Sequence, residues 1–312
     1  MTVRISALFL IFHFSGVLTL AGQQHKFSVA AEEVRLDVLV TDKGKPVSGL
    51  SAADFEIFDN GVPQEIQYVT LQKRTPVGAT LVFDMSESVA GELLRDLKGA
   101  AREFLAELGE GDNAALITFN NAVVLHSNAT RDLAKIRAAL DEAEPFGNSA
   151  LFDGSYAGLI IAESRPDPPL LIIFSDGRDT FSWLTEEAVL ETAKRTEAVV
   201  YAVSTGRLPS RTYATPVSLF QAGGGRIQGN SFLRQLTKLT GGSLFPVEST
   251  RDLAATFLGI LDEFRQRYLL TFRPRGVSES GWHKLDVRVK LRSAKVSARP
   301  GYTRHAGASR NQ

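Results

Sequence analysis

The chain has 312 residues, with 35 Lys and Arg against 35 Asp and Glu, so its formal net charge is zero. This balance argues against a dedicated nucleic-acid-binding protein, which would carry a basic surplus. There is no cysteine, which excludes disulfides, thiolate catalysis, cysteine-ligated zinc and iron–sulfur clusters.

Residues 1–21 predict an export signal. Arg4 is their only charge, an apolar stretch follows from Ile5 to Leu20, and Thr19 and Ala21 offer small residues for cleavage. The alternative is a short membrane anchor, although the stretch falls below the ~20 apolar residues of a spanning helix. We therefore expect an exported, periplasmic or extracellular protein without a membrane span after cleavage. The lack of cysteine is more typical of a bacterial exported protein than of a eukaryotic one.

Residues 22–74 predict an N-terminal β-strand region. Apolar and polar residues alternate from Val34 to about Thr70, and turn residues interrupt them at 43–46 and 59–61. This period of two is typical of half-buried antiparallel strands joined by hairpins.

Residues 75–265 change to an alternation of buried strands and helices. Continuous apolar runs predict strands at 80–83, 114–119, 170–174 and 199–203, and a short strand at 244–245. Helical spacing is found at 94–108, 133–143, 150–163, 186–194, from 230 or 231 to about 240, and at 253–264. This order predicts an α/β domain with a doubly wound, mostly parallel sheet. Residues 206–228 lack a period and predict a mobile loop.

The C-terminal part returns to strands. Residues 268–272 and 285–291 have strand patterns, so we expect residues 266–302 to pair with the N-terminal region in a small β domain. Residues 303–312 are polar and predict a disordered tail.

Oxygen-bearing side chains follow two of the buried strands. Asp84, Ser86 and Ser88 come directly after the first strand, and Asp176 follows the strand at 170–174. Ser149 lies between them, in a glycine-containing loop that begins a helix. Ligands bind at the carboxyl edge of such sheets, and hydroxyl and carboxylate oxygens suit Mg²⁺. We therefore predict that these five residues converge on a metal ion.

This pattern resembles the metal-ion-dependent adhesion site of von Willebrand factor type A domains. That family has Asp-x-Ser-x-Ser, a Thr on a second loop, and an Asp after a later apolar strand. Ser149 stands where the family usually has Thr, and it keeps the hydroxyl. The resemblance covers roughly residues 75–265. The flanks at 40–61 and 268–302 are similar to bacterial VWFA-related proteins of the acidobacterial type.

The resemblance implies that Ser86 and Ser88 bind Mg²⁺, or Mn²⁺ or Ca²⁺, directly. It implies that Ser149, Asp84 and Asp176 bind the ion directly or through water. One coordination position then stays open for an acidic side chain of a protein partner. The expected function is metal-dependent protein binding without catalysis.

Two alternatives remain open at this point. One is a structural scaffold whose metal site is vestigial, which the replacement of Thr by Ser149 supports. The other is a metal-dependent phosphohydrolase with Asp84 as nucleophile. It is less favoured because Ser86 stands where a general acid would be needed. For Ser86 and Ser88 themselves, an ordinary helix N-cap is the competing interpretation.

Overall fold

The computed structural model describes residues 33–164, 167–205 and 230–304. The predicted export signal and the predicted loop at 206–228 lie outside these ranges. Within them, no helix is both long enough and apolar enough to cross a membrane.

Fifteen strands and six helices are described. The strands are β1 Val34–Asp42, β2 Lys45–Pro46, β3 Phe55–Asp59, β4 Val62–Gln64, β5 Ile66–Leu71, β6 Gly78–Asp84, β7 Asn113–Phe119, β8 Val123–Thr130, β9 Pro169–Ser175, β10 Val199–Ser204, β11 Leu244–Pro246, β12 Tyr268–Phe272, β13 Gly281–Val289, β14 Lys295–Ser297 and β15 Gly301–Arg304. The helices are α1 Glu92–Ala106, α2 Leu133–Glu142, α3 Leu151–Glu163, α4 Glu186–Ala193, α5 at 230–240 and α6 Leu253–Arg265.

Six strands form a central sheet in the order β11-β10-β9-β6-β7-β8. The pairs from β11 to β7 are parallel, and every residue of β6, β7 and β9 is buried. This burial explains the continuous apolar runs in these strands. The edge strand β8 pairs antiparallel with β7. No strand is predicted at β8 from the sequence, because its residues are mostly exposed and lack apolar alternation.

Helices cover both faces of this sheet. Side chains of α1, α2 and α6 pack on one face, and those of α3, α4 and α5 pack on the other. Helix α3 lies unusually close to the sheet. A Cβ at Gly154 would be 2.4 Å from the ring of Phe119, so only glycine allows this approach.

The two chain ends form two further sheets. Strand β12 pairs antiparallel with β1 and β5, and β13 pairs antiparallel with β3 and β15. The structure therefore pairs N-terminal with C-terminal strands. The prediction of a disordered tail from residue 303 is wrong for Thr303 and Arg304, because both pair with β13.

The mixed α/β class is confirmed. The doubly wound, mostly parallel description fits at most the central sheet, because the pairs described in the other two sheets are all antiparallel. Antiparallel pairs thus form the majority over the described chain.

Two buried arginines connect the terminal sheets with the central one. Arg267, between α6 and β12, donates to Gly241 O at 2.7 Å and to the Tyr201 hydroxyl at 3.2 Å. It also donates to the carbonyl of Asp37 in β1. Arg299 donates to Thr196 O at 3.0 Å. The described residues accordingly belong to one compact unit.

Candidate metal centre

The candidate site lies at the carboxyl end of β6. The next parallel strands along the chain, β7 and β9, lie on opposite sides of β6 in the central sheet. Asp84 is the last residue of β6 and is in register with Phe119 of β7. Phe83 is in register with Phe174 of β9, so Ser175 and Asp176 emerge beside Asp84. This is the switch point at which open α/β sheets bind ligands.

Asp84 is fully buried and accepts three hydrogen bonds. The backbone N–H of Ser86 donates to Oδ1 at 2.9 Å. The hydroxyls of Ser149 and Ser175 each donate to Oδ2 at 2.9 Å. A buried carboxylate needs such donors, because burial removes the water that would otherwise solvate it. Asp84 is therefore the centre of the site.

Ser86 and Ser88 lie on a short 3₁₀ turn after β6. Their hydroxyl oxygens are 3.0 Å apart, with Ser86 buried and Ser88 exposed. Ser86 occupies the N-cap position of the turn Glu87–Val89, but its side chain makes no capping hydrogen bond. The capping interpretation therefore does not account for this hydroxyl. Glu87, between the two serines, is exposed.

The loop before α3 positions Ser149. Gly147 O accepts the N–H of Glu87 at 3.0 Å, and Asn121 Oδ1 accepts the N–H of Asn148 at 2.6 Å. Gly147 has φ of +65°, and a Cβ there would be 2.6 Å from Asn121 Oδ1. The conformation of this loop therefore requires glycine.

Asp176 is half-buried, and its Oδ1 accepts the N–H of Arg178 at 3.0 Å. Its proximity affects Asp84. The pKa of the Asp84 carboxyl is raised to about 6, because burial disfavours its charged form. Hydrogen bonds from Ser86 and Ser175 lower this pKa, and the negative charge of Asp176 raises it. A cation between the two carboxylates would relieve this repulsion.

The donor set fits a small hard cation. Octahedral Mg²⁺ at ~2.1 Å from its ligands places neighbouring ligand oxygens about 3.0 Å apart. The Ser86–Ser88 pair and the Ser149–Asp84 pair lie at 3.0 Å and 2.9 Å. No group of three or more His, Asp or Glu side chains suited to a metal occurs in the described part of the chain. Metal binding here would therefore depend on the hydroxyls.

The structure brings the five predicted residues together and adds two that the sequence analysis missed. The additional residues are Ser175, a donor to Asp84, and Thr180, whose hydroxyl accepts the N–H of Ser149 at 3.0 Å. Ser175 directly precedes Asp176 at the end of a predicted strand, which was the available signal.

Asp153 and Asp179 organise the loop that follows Asp176. Asp153 accepts the N–H groups of Trp183 and Leu184 at 3.0 Å and 2.9 Å. Asp179 accepts the N–H of Phe152 at 3.2 Å. Both carboxylates thus have structural roles near the start of α3.

The segment that contains the candidate site matches a known protein family. Residues 80–178 match the family model described as the von Willebrand factor type A domain. This part of the chain is therefore similar to von Willebrand factor type A domains. The match includes all five predicted site residues, and it extends over β6 to β9.

A longer part of the chain is similar to two known proteins. A UPF0353 protein of Mycobacterium avium is 22% identical over 232 residues, covering 67% of this chain and 65% of the relative. One of Nocardia farcinica is 23% identical over 221 residues, covering 62% and 64%. The chain thus spans just under two thirds of the length of these relatives.

Two solved structures are also similar to part of this chain. An aerotolerance-related membrane protein of Bacteroides fragilis is 12% identical with a TM-score of 0.47, covering 61% of this chain and 99% of that one. The vWF domain of a type V pilus tip protein of Porphyromonas gingivalis is 12% identical with a TM-score of 0.48, covering 60% and 94%.

Proposed function

We propose that this protein binds Mg²⁺ through Asp84, Ser86, Ser88, Ser149 and Asp176, and that the bound ion accepts an acidic side chain from a partner protein. Mn²⁺ or Ca²⁺ are alternative ions. The role is binding without catalysis, at a periplasmic or extracellular location. The convergence of hydroxyl oxygens on one buried carboxylate, at 2.9 Å from Ser149 and Ser175, is the observation that carries the proposal.

The charge of the donor set explains the choice of partner. Hydroxyl ligands carry no charge, so a site of three hydroxyls and only two carboxylates leaves Mg²⁺ more electrophilic than a site built from carboxylates alone. Because Mg²⁺ keeps near-octahedral oxygen coordination, protein donors that leave a position open also leave room for an external oxygen. A carboxylate from another protein is the oxygen ligand that such an electrophilic ion attracts most strongly.

Calorimetric titration of Mg²⁺ into chelator-treated protein tests this proposal. We expect saturable binding in the parent protein, none in Asp84→Ala, and unchanged binding in Glu87→Gln. The last variant is the matched control, because it removes one negative charge from an exposed side chain three residues away.

A second titration in excess acetate tests whether the site binds Mg²⁺ only when an external carboxylate fills the open coordination position. Binding only with acetate would support the proposal. No binding under either condition would contradict it and favour the scaffold interpretation. Hydrolysis of an aryl phosphate that is lost in Asp84→Ala would instead favour the phosphohydrolase.

A further inference from the structure

Three aromatic side chains near the candidate metal centre are exposed to solvent. Phe146 is 62% exposed, Phe181 is 45% exposed and Trp183 is 92% exposed. Large apolar side chains usually lie in the core, whereas aromatic residues are enriched at protein–protein interfaces. Tryptophan in particular is enriched among the residues that dominate binding energies.

Phe146 and Phe181 are anchored directly to the site through their backbones. The N–H of Phe146 donates at 2.8 Å to the carbonyl of Met85, the residue after Asp84. The N–H of Phe181 donates at 3.1 Å to the carbonyl of Ser149. Each aromatic residue is thus attached to an element that supplies a predicted metal ligand.

Trp183 is exposed on a loop that is itself well anchored. Its backbone N–H and that of Leu184 both donate to the Asp153 carboxylate. The hydroxyl of Ser182 accepts the N–H of Phe152 at 3.0 Å. The exposure of the indole therefore does not result from a loop without contacts. A rigid backbone that presents a solvated indole is preorganised for binding, because little ordering remains to be done.

We infer that Phe146, Phe181 and Trp183, here called the aromatic rim, bind large apolar side chains that flank the acidic residue of the partner. This inference rests on the proposed function of the metal centre. The partner is a protein segment with one Asp or Glu next to one or more large apolar residues.

The loop beside the proposed metal site carries no surplus of either charge. Residues 176–185 contain one cation, Arg178, against the carboxylates of Asp176 and Asp179. With Asp176 paired to the ion, Arg178 and Asp179 balance each other, so the loop offers additional acidic groups of the partner no net attraction. One carboxylate for the ion and apolar contacts for the rim complement this surface best.

Selection from a displayed library of random dodecapeptides tests the inference. The library is selected on the purified protein in Mg²⁺, and peptides that also bind in chelator are removed. We expect enrichment of a single Asp or Glu beside a large apolar residue. Trp183→Ser and Phe146→Ser are expected to weaken the selected peptides about tenfold or more. Leu291→Ser, at an exposed apolar side chain between β13 and β14, is the control and is expected to leave affinity unchanged.

Fluorescence gives an independent readout. In a Trp282→Phe background Trp183 is the remaining tryptophan, and its emission is expected to shift to shorter wavelength when a selected peptide binds. Mg²⁺-dependent peptides that show no apolar preference, or that bind Trp183→Ser and Phe146→Ser as tightly as the parent, would overturn the rim and leave the metal function intact. Failure to select any Mg²⁺-dependent peptide would overturn both.

Discussion

Replacing Asp84 by Asn is expected to change how the stability of the metal-free protein depends on pH. The pKa of this carboxyl is raised from 3.8 to about 6 in the folded state. A folded-state pKa above the unfolded value means that the native protein holds the proton more tightly between these two pH values. The stabilising contribution is therefore complete below about pH 4 and is lost as pH rises through 6.

The magnitude follows from the size of the shift. Each pKa unit corresponds to about 1.4 kcal/mol, so the rise from 3.8 to about 6 amounts to a loss on the order of 3 kcal/mol by pH 7. Asn carries no titrating charge. It also keeps the hydrogen bonds possible, because its carbonyl can accept from the Ser86 N–H while the Ser149 and Ser175 hydroxyls reverse to accept from its amide.

Urea denaturation of both proteins in chelator, from pH 4 to pH 8, measures this difference. The pKa values of Asp37 and Glu197 are also raised by burial, but both groups are present in both proteins and cancel in the comparison. We expect Asp84→Asn to gain stability relative to the parent as pH rises from 4 to 7. Parallel curves for the two proteins would refute the reasoning.

Three further predictions concern individual residues. Gly154→Ala is expected to lose about 1–3 kcal/mol of unfolding free energy through its clash with Phe119, whereas Gly259→Ala, with no neighbour within 4 Å, gains up to about 1 kcal/mol. Arg267→Met is expected to lose about 3–5 kcal/mol because it breaks a buried charged network, while a change within about 0.5 kcal/mol is expected for exposed Arg234→Met. Thermal and chemical denaturation check both pairs. In calorimetry, Ser149→Ala is expected to weaken Mg²⁺ binding by about tenfold or more, and Ser149→Thr to retain it.

Sequence patterns predicted the parts of the fold in which every residue of a continuous segment is buried. Strands β6 and β9 are buried on both faces, and their apolar runs reflect that directly. The proximity of the candidate site residues could be predicted for a related reason. Asp84 and Asp176 each end such a strand, and neighbouring parallel strands bring their carboxyl ends to one edge.

The features that were missed depend on contacts between distant segments. Strand β8 is an edge strand whose exposed residues carry no apolar alternation. Arg267 is fully buried, although arginine is among the residues least often found inside proteins. Its burial is possible only because carbonyl groups from segments far apart in the sequence, at Asp37, Gly241 and Ser297, surround it. No local pattern indicates such a set of acceptors.

The chemistry at Asp84 also bears on the choice between the proposed metal site and a vestigial one. A residue with only a structural role at this position needs to accept the Ser86 N–H and pair with the Ser149 and Ser175 hydroxyls, which a neutral Asn can do. A carboxylate adds a desolvation penalty and repulsion from Asp176, and both destabilise the metal-free protein near neutral pH. A bound divalent cation would offset both terms at once, because it pairs with the two charges that burial and proximity disfavour. The presence of two acidic groups here therefore favours the binding function over the scaffold.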